Sequence, residues 1–301
     1  MSGIELGWIT SYIARGGLQT DGMLAENERV LDRIRGVFST LWFDDHFMKD
    51  NVPLLESWTT LSYLAGKYPE FKLGTAVLSQ SYRNPALLAK MISSLQFISG
   101  GRVIAGIGAG WKEDEYRAYG YPFPPLKTRF DQLEEALQIW KRMWSESPAT
   151  FQGEHYHINE AECEPLPSPP PPILVGGGGE KRTLRLVAQY ADWMNLPFAT
   201  PETFRHKLNV LRNHCDVVGR KYEDITKSAW LYLYVTPDGE IPAPISGERF
   251  VMYGNPEQIT LQLKEYIHLG VSHFMLRFVD FPSTAGLDAF LKHVAPAILE
   301  T

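Results

Sequence analysis

A (β/α)8 barrel, the TIM-barrel class of α/β folds, is what this sequence predicts, and three observations predict it. The 301 residues are 44% hydrophobic and 21% charged, enough for one large core, and such a barrel takes roughly 250 residues. Short β-rich runs alternate with longer amphipathic stretches eight times along the chain. No linker-like segment interrupts the alternation, so 1-301 reads as a single domain. Alternation alone leaves a doubly wound open sheet as the other architecture, because both are built from βα units.

The elements follow in order. Ile4 to Thr10 reads as a strand and Met23 to Arg35 as its helix; Thr40 to Asp44 is followed by a helix from Ser57 to Ala65. Lys72 to Leu78 leads to a helix from Pro85 to Phe97, where proline suits a first turn because its missing N–H costs little. Val103 to Ile107 precedes helical segments between Lys112 and Trp144. The Pro-rich stretch Pro165 to Pro172 delivers the chain into Ile173-Leu174-Val175, and a helix from Lys181 to Tyr190 follows four glycines. Asp192 to Leu196, Pro201 to Val218, Ser228 to Val235, Pro256 to Leu269, His273 to Phe278 and a terminal helix complete eight units. Residues 147-171, with FQGEHYHI reading as a hairpin, and residues 236-255, rich in Pro and Gly, stand outside the repeat as insertions beside the barrel mouth.

A net charge of -6 offers no basic field for nucleic acid. The N-terminus lacks a cationic start with an apolar run, and no stretch approaches the ~18 apolar residues of a membrane span, so the expectation is a cytoplasmic protein without a membrane partner. Cys163 and Cys215 lack CxxC spacing or a ligand cluster and read as reduced thiols, with no metal site. His155 and His157 alternate in the hairpin and read as a solvated face.

Catalysis in such a barrel belongs to the carboxyl ends of the strands. Strand two ends in Leu41-Trp42-Phe43-Asp44-Asp45-His46. An imidazole there can exchange a proton near neutral pH, with an unperturbed pKa of about 6.5; the structural alternative is a helix cap beside a packed ring. After strand four, Gly106-Ile107-Gly108-Ala109-Gly110-Trp111 allows close backbone approach to a flat ligand. It is not GxGxxG, since Trp111 takes the third glycine's place, so a Rossmann site is disfavoured. Gly176-Gly177-Gly178-Gly179 precede Lys181 and Arg182, and cations at a helix start suit a bound anion such as phosphate. A ligand-free surface pair remains the other reading. Trp8, Asn195 and Arg277 end further strands as weaker candidates.

Taken together, Asp45-His46, TAVLSQSYRNPALLAK, GRVIAGIGAGWKEDEYRAYG and PPILVGGGGEKRTLRLVAQYADWMN resemble the luciferase-like monooxygenase family across most of the chain. Within it the sequence looks most like the coenzyme F420-dependent oxidoreductases. The resemblance implies a deazaflavin cofactor, a small-molecule substrate and a possible homodimer. It implies that Asp45 and His46 contact the cofactor and act at the reacting centre, and that Ala76-Val77 forms a non-prolyl cis peptide against the ring. It further implies that Gly108 and Gly110 border the cofactor, that Asp114 contacts it, and that Gly176, Gly177, Gly178 and Gly179 hold its phosphate.

Two departures stand out from the sugar-phosphate dehydrogenase of that family. Trp111 stands at its catalytic glutamate and Asp50 at its active-site tryptophan, which argues against a sugar phosphate here. Lys112, Glu113 or a water would then have to supply the acid. Trp8, Trp42, Trp111 and Asn195 are the expected substrate pocket. The expected reaction is hydride transfer between coenzyme F420 and a carbonyl, enone, imine or alcohol. An FMN-dependent monooxygenase shares the fold and is the alternative; a glycine loop without serine or threonine favours the deazaflavin. A non-catalytic flavin or deazaflavin binder is the second alternative.

Overall fold

The computed structural model describes residues 3–10, 12–14, 18–49, 51–236 and 250–300; Asp50 lies outside them. The chain begins β1 (Glu5–Ile9), α1 (Met23–Ile34), β2 (Thr40–Phe43), α2 (Ser57–Lys67), β3 (Lys72–Thr75) and β4 (Leu78–Ser79). Then come α3 (Pro85–Ile98), β5 (Val103–Gly108), α4 (Glu113–Ala118), α5 (Leu126–Met143) and the pair β6 (Ala149–Gln152) and β7 (His157–Ala161). The second half holds β8 (Ile173–Gly176), α6 (Thr183–Tyr190), β9 (Trp193–Pro197), α7 (Pro201–Val218), β10 (Thr226–Val235), β11 (Val251–Gly254), α8 (Pro256–His268) and β12 (His273–Phe278). Two short helices, α9 (Ala285–Ala289) and α10 (Ala295–Leu299), close the chain.

Parallel pairing runs β1, β2, β3, β5, β8, β9, β10, β12 and returns to β1. The sheet is therefore a closed eight-stranded barrel, which rules out the open doubly wound sheet. Polar caps set three of the helix starts: Asn84, Thr200 and Asn255 each accept a backbone N–H, and each is followed by proline, which fits a first turn without losing a hydrogen bond.

FQGEHYHI spans the turn of the antiparallel pair β6 and β7, and Glu135 holds that turn by accepting the amides of Glu154, His155 and Tyr156. The end of the 236-255 stretch differs from the expected insertion. Val251–Gly254 is a parallel strand against Tyr232–Val235 of β10, while 237–249 lie outside the described residues. Strand three is interrupted where Ala76–Val77 is a cis peptide.

Alternation along each strand sorts the side chains into two cores. Ile9, Trp42, Ala76, Ile104, Leu174 and Met275 fill the lumen, while Leu6, Trp8, Leu41 and Phe43 pack outward beneath the helices. Trp42 fits the lumen because its strand neighbours are glycines: a Cβ on Gly74 would come within 2.3 Å of its ring, and one on Gly7 within 2.5 Å. Large and small residues thus interdigitate across the barrel.

Candidate active site

A cavity of about 340 Å³ opens at the carboxyl ends of the strands, bordered by Asp44, His46, Ala76, Val77, Gly110, Trp111, Gly176, Gly177, Asn195, Phe198, Trp230 and Tyr232 among others. His46 is fixed from behind. Its Nδ1 lies 2.9 Å from Glu115 Oε2, and a carboxylate only accepts, so the proton sits on Nδ1 and Nε2 is the ring's remaining polar atom. Glu115 is fully buried and also accepts the Phe47 and Met48 amides at 2.8 and 2.9 Å and the Tyr82 hydroxyl at 3.0 Å. Burial pushes its carboxyl up, but His46 and the two amides outweigh that and hold it below the usual carboxylate range. Burial, with Glu115 beside it, pushes the Tyr82 phenol well above its ordinary value. Trp111, 65% exposed, stands edge-on to His46 with centroids 5.8 Å apart.

Asp45 borders this cavity, yet its side chain is 1% exposed and its carboxylate is saturated. It accepts from Ser57 Oγ at 2.8 Å, Ser79 N at 3.0 Å, and Arg83 Nη1 and Nη2 at 3.0 and 3.1 Å. Asp45, expected as a reacting acid, thus has its acceptors taken up in tying the end of β2 to β4, α2 and the loop before α3. Asp44 is the acid that shares the lumen side. Burial would raise its carboxyl, but Arg277, Lys49 and His46 hold it below the usual range.

Glycines give the opposite wall its shape. Cβ atoms on Gly108 and Gly176 would each come 2.8 Å from a Val77 methyl, and one on Gly110, at φ +74°, would lie 1.9 Å from Tyr116 Oη. Gly176 and Gly177 border the cavity, whereas Gly178 packs toward Leu196 and Gly179 toward Thr183 at the start of α6. Arg182, expected at an anion, instead pairs with Asp131 at 2.5 Å, and Glu180 takes Lys207 at 2.6 Å.

Three further expected site residues lie away from the cavity lining. Trp8 points outward and packs on Phe38, Phe278 and Phe281, because it sits between the lumen-facing Gly7 and Ile9. Trp42 is fully buried below the mouth, with its Nε1 donating to Thr40 Oγ1 at 2.7 Å. Neither borders the cavity. Asp114 is 58% exposed and pairs with Lys112; the next residue, Glu115, is the one that turns inward. Glu113 pairs with Arg117 at 2.7 Å on the surface. Asn195 is buried at the cavity floor, its Nδ2 donating to Ser228 Oγ at 3.2 Å.

The fold and site together define a (β/α)8-barrel protein with a glycine-walled mouth and a histidine held by a buried carboxylate. Residues 4–240 match the model of the family described as luciferase-like monooxygenase. A protein named F420-dependent glucose-6-phosphate dehydrogenase from Intrasporangium calvum is 34% identical over 309 residues, covering 87% of this chain and 90% of the other. The chain therefore belongs to the luciferase-like monooxygenase family. Among solved structures, an F420-dependent secondary alcohol dehydrogenase in complex with an F420-acetone adduct superposes with a TM-score of 0.84 at 20% identity, covering 98% of this chain and 99% of that one. A type II Baeyer-Villiger monooxygenase of Pseudomonas putida in complex with FMN gives a TM-score of 0.77 at 17% identity, covering 99% of each chain.

Proposed function

We propose that this chain is an oxidoreductase that passes hydride between coenzyme F420, held at the glycine-walled mouth, and a small organic substrate lying above it. The observation that carries the reading is the His46–Glu115 pair facing a wall of backbone at Ala76–Val77, Gly110, Gly176 and Gly177. Gly110, Gly176 and Gly177 turn backbone rather than side chain toward the cavity, the form a flat ring needs. The names of the relatives support the choice of cofactor.

When bound, the deazaflavin supplies or accepts the hydride. The protein's part is position and proton handling. Glu115 keeps the Nδ1–H tautomer of His46, so Nε2 is left to exchange a proton with a substrate oxygen or nitrogen. Trp111, Phe198, Trp230 and Tyr232 supply an aromatic side to the cavity, which suits a flat apolar carbonyl, enone, imine or alcohol better than a polyhydroxylated sugar.

Titration of the apoprotein with F420 and with FMN, oxidised and reduced, tests the cofactor. Tight selective F420 binding is expected. Selective FMN binding would turn the reading toward the monooxygenase chemistry named for the FMN-bound neighbour. His46→Ala is expected to lower the rate of cofactor reduction by about a hundredfold; an unchanged rate and affinity would remove His46 from the mechanism.

A further inference from the structure

One side of the mouth, formed by β2 and β12, is charged. Alternation places Asp44, two residues beyond Trp42, and Arg277, two residues beyond Met275, on the lumen side. Lys49 Nζ lies 3.8 Å from Asp44 Oδ2, so that acid has its own cation. Arg277 acts on Asp44 only from beyond ion-pair distance. Among the described residues its guanidinium makes no hydrogen bond and no ion pair, and its ring contact is with Tyr232, 5.7 Å from the centroid. It is half-buried and borders a recess of about 30 Å³ that shares Asp44, His46 and Lys49 with the main cavity.

Among the described residues, two cations thus share the acid Asp44. Both Arg277 and Lys49 hold Asp44 ionised, but of the two only Lys49 lies at ion-pair distance, so the guanidinium's donors are left for another acceptor. A partly buried guanidinium without acceptors loses hydration and gains little in return. Its planar fork matches a carboxylate in a way that a point charge does not. The surrounding surface is aromatic: Tyr232 is the register partner of Arg277 on the adjacent strand, and Trp230 and Phe198 continue that wall.

We infer that Arg277 is a substrate-binding residue that takes a carboxylate, so that the substrate carries one carboxylate on a flat apolar body laid against Phe198, Trp230 and Tyr232. This rests on the cavity being the substrate site proposed above. It narrows the substrate class to unsaturated or carbonyl-containing acids.

Benzoate and benzamide are matched probes, nearly equal in shape and differing in charge. Calorimetric titration of F420-loaded wild type, Arg277→Gln and Asp44→Asn decides the matter. Wild type should bind benzoate about tenfold or more tightly than benzamide, the size of one charge-assisted pair. Arg277→Gln should erase the preference without weakening benzamide, and Asp44→Asn should tighten benzoate about threefold by removing a like charge. Equal binding of the two probes by wild type, no binding of either, or an unchanged preference in Arg277→Gln would overturn the assignment. F420 affinity of each variant is read in the same samples and reports whether its site is intact. If wild type binds no F420, the proposed function fails, while the benzoate preference measured on the apoprotein still decides the role of Arg277.

Discussion

His46 Nδ1 and Glu115 Oε2 lie 2.9 Å apart, joining the end of β2 to α4 across 69 residues of sequence. Glu115 accepts four hydrogen bonds in full burial. Glu115→Gln places an NH2 against donors and should cost about 2–4 kcal/mol. It should also slow the hydride step about tenfold or more by freeing the His46 tautomer. Because the folded carboxyl lies below its ordinary 4.5, its contribution is fully present above the unfolded value. That contribution is lost as pH falls through the folded one. Urea unfolding should therefore separate wild type from variant by the full amount at neutral pH and by progressively less below 4.5; a constant gap would count against an ionised Glu115.

The barrel was legible because its strands carry their own pattern, and β12 and α7 lie where hydrophobicity and caps place them. The site was legible only in part, and the misses have physical causes. Nearness to a strand end selects Trp8 and Asp45, but alternation turns Trp8 outward and directs the Asp45 carboxylate to Ser57, Ser79 and Arg83; Thr40 and Trp42 imply that Asp44 faces inward. Glu115 gave no such warning. Its helix is six residues long, and three consecutive acids carry no apolar phase to choose among them. Its partners lie 33 and 69 residues away, as Arg83 lies 38 from Asp45, and local sequence does not encode such pairings. Val251–Gly254 is too short a strand to show alternation beside a Pro- and Gly-rich run.

Gly110 and Gly100 share a left-handed backbone, φ +74° and +68°, but not their surroundings. Nothing lies within 4 Å of a Cβ on Gly100, while one on Gly110 would strike Tyr116 Oη and Ser79 Oγ, themselves hydrogen-bonded at 2.5 Å. Gly100→Ala should cost about 1–2 kcal/mol, the backbone term alone. Gly110→Ala should cost about 2 kcal/mol more and weaken cofactor binding. Equal thermal shifts for the two would show that the wall yields.

Asp45→Asn tests the tie from β2 to β4, α2 and the loop before α3. Arg83 would keep Glu56 but lose a buried, forked partner, at a cost of about 3–5 kcal/mol. Its effect on turnover should follow the fraction folded. If turnover collapsed while the unfolding midpoint stayed at the wild-type value, Asp45 would have to touch the reacting atoms.

The lumen floor carries its own titration. His273 is buried between Thr40 Oγ1 and Ser228 Oγ, each 2.9 Å from a ring nitrogen. Thr40 Oγ1 accepts the Trp42 indole N–H and still has its own proton for His273 Nε2, the arrangement in which the neutral ring donates from Nδ1 to Ser228. Ser228 also receives Asn195 at the cavity floor. Burial, with Lys72 adding to it, pushes the ring down to about 3. The unfolded histidine, near its ordinary 6.5, then binds a proton that the folded one refuses, so stability falls as pH drops from 6.5 toward 3 at about 1.4 kcal/mol per unit. His273→Gln removes that proton from the unfolded state. Between about pH 7.5 and about pH 5, wild type should lose about 2 kcal/mol more than the variant in urea unfolding. Equal losses would mean that the ring is charged within the barrel and that Thr40 donates elsewhere.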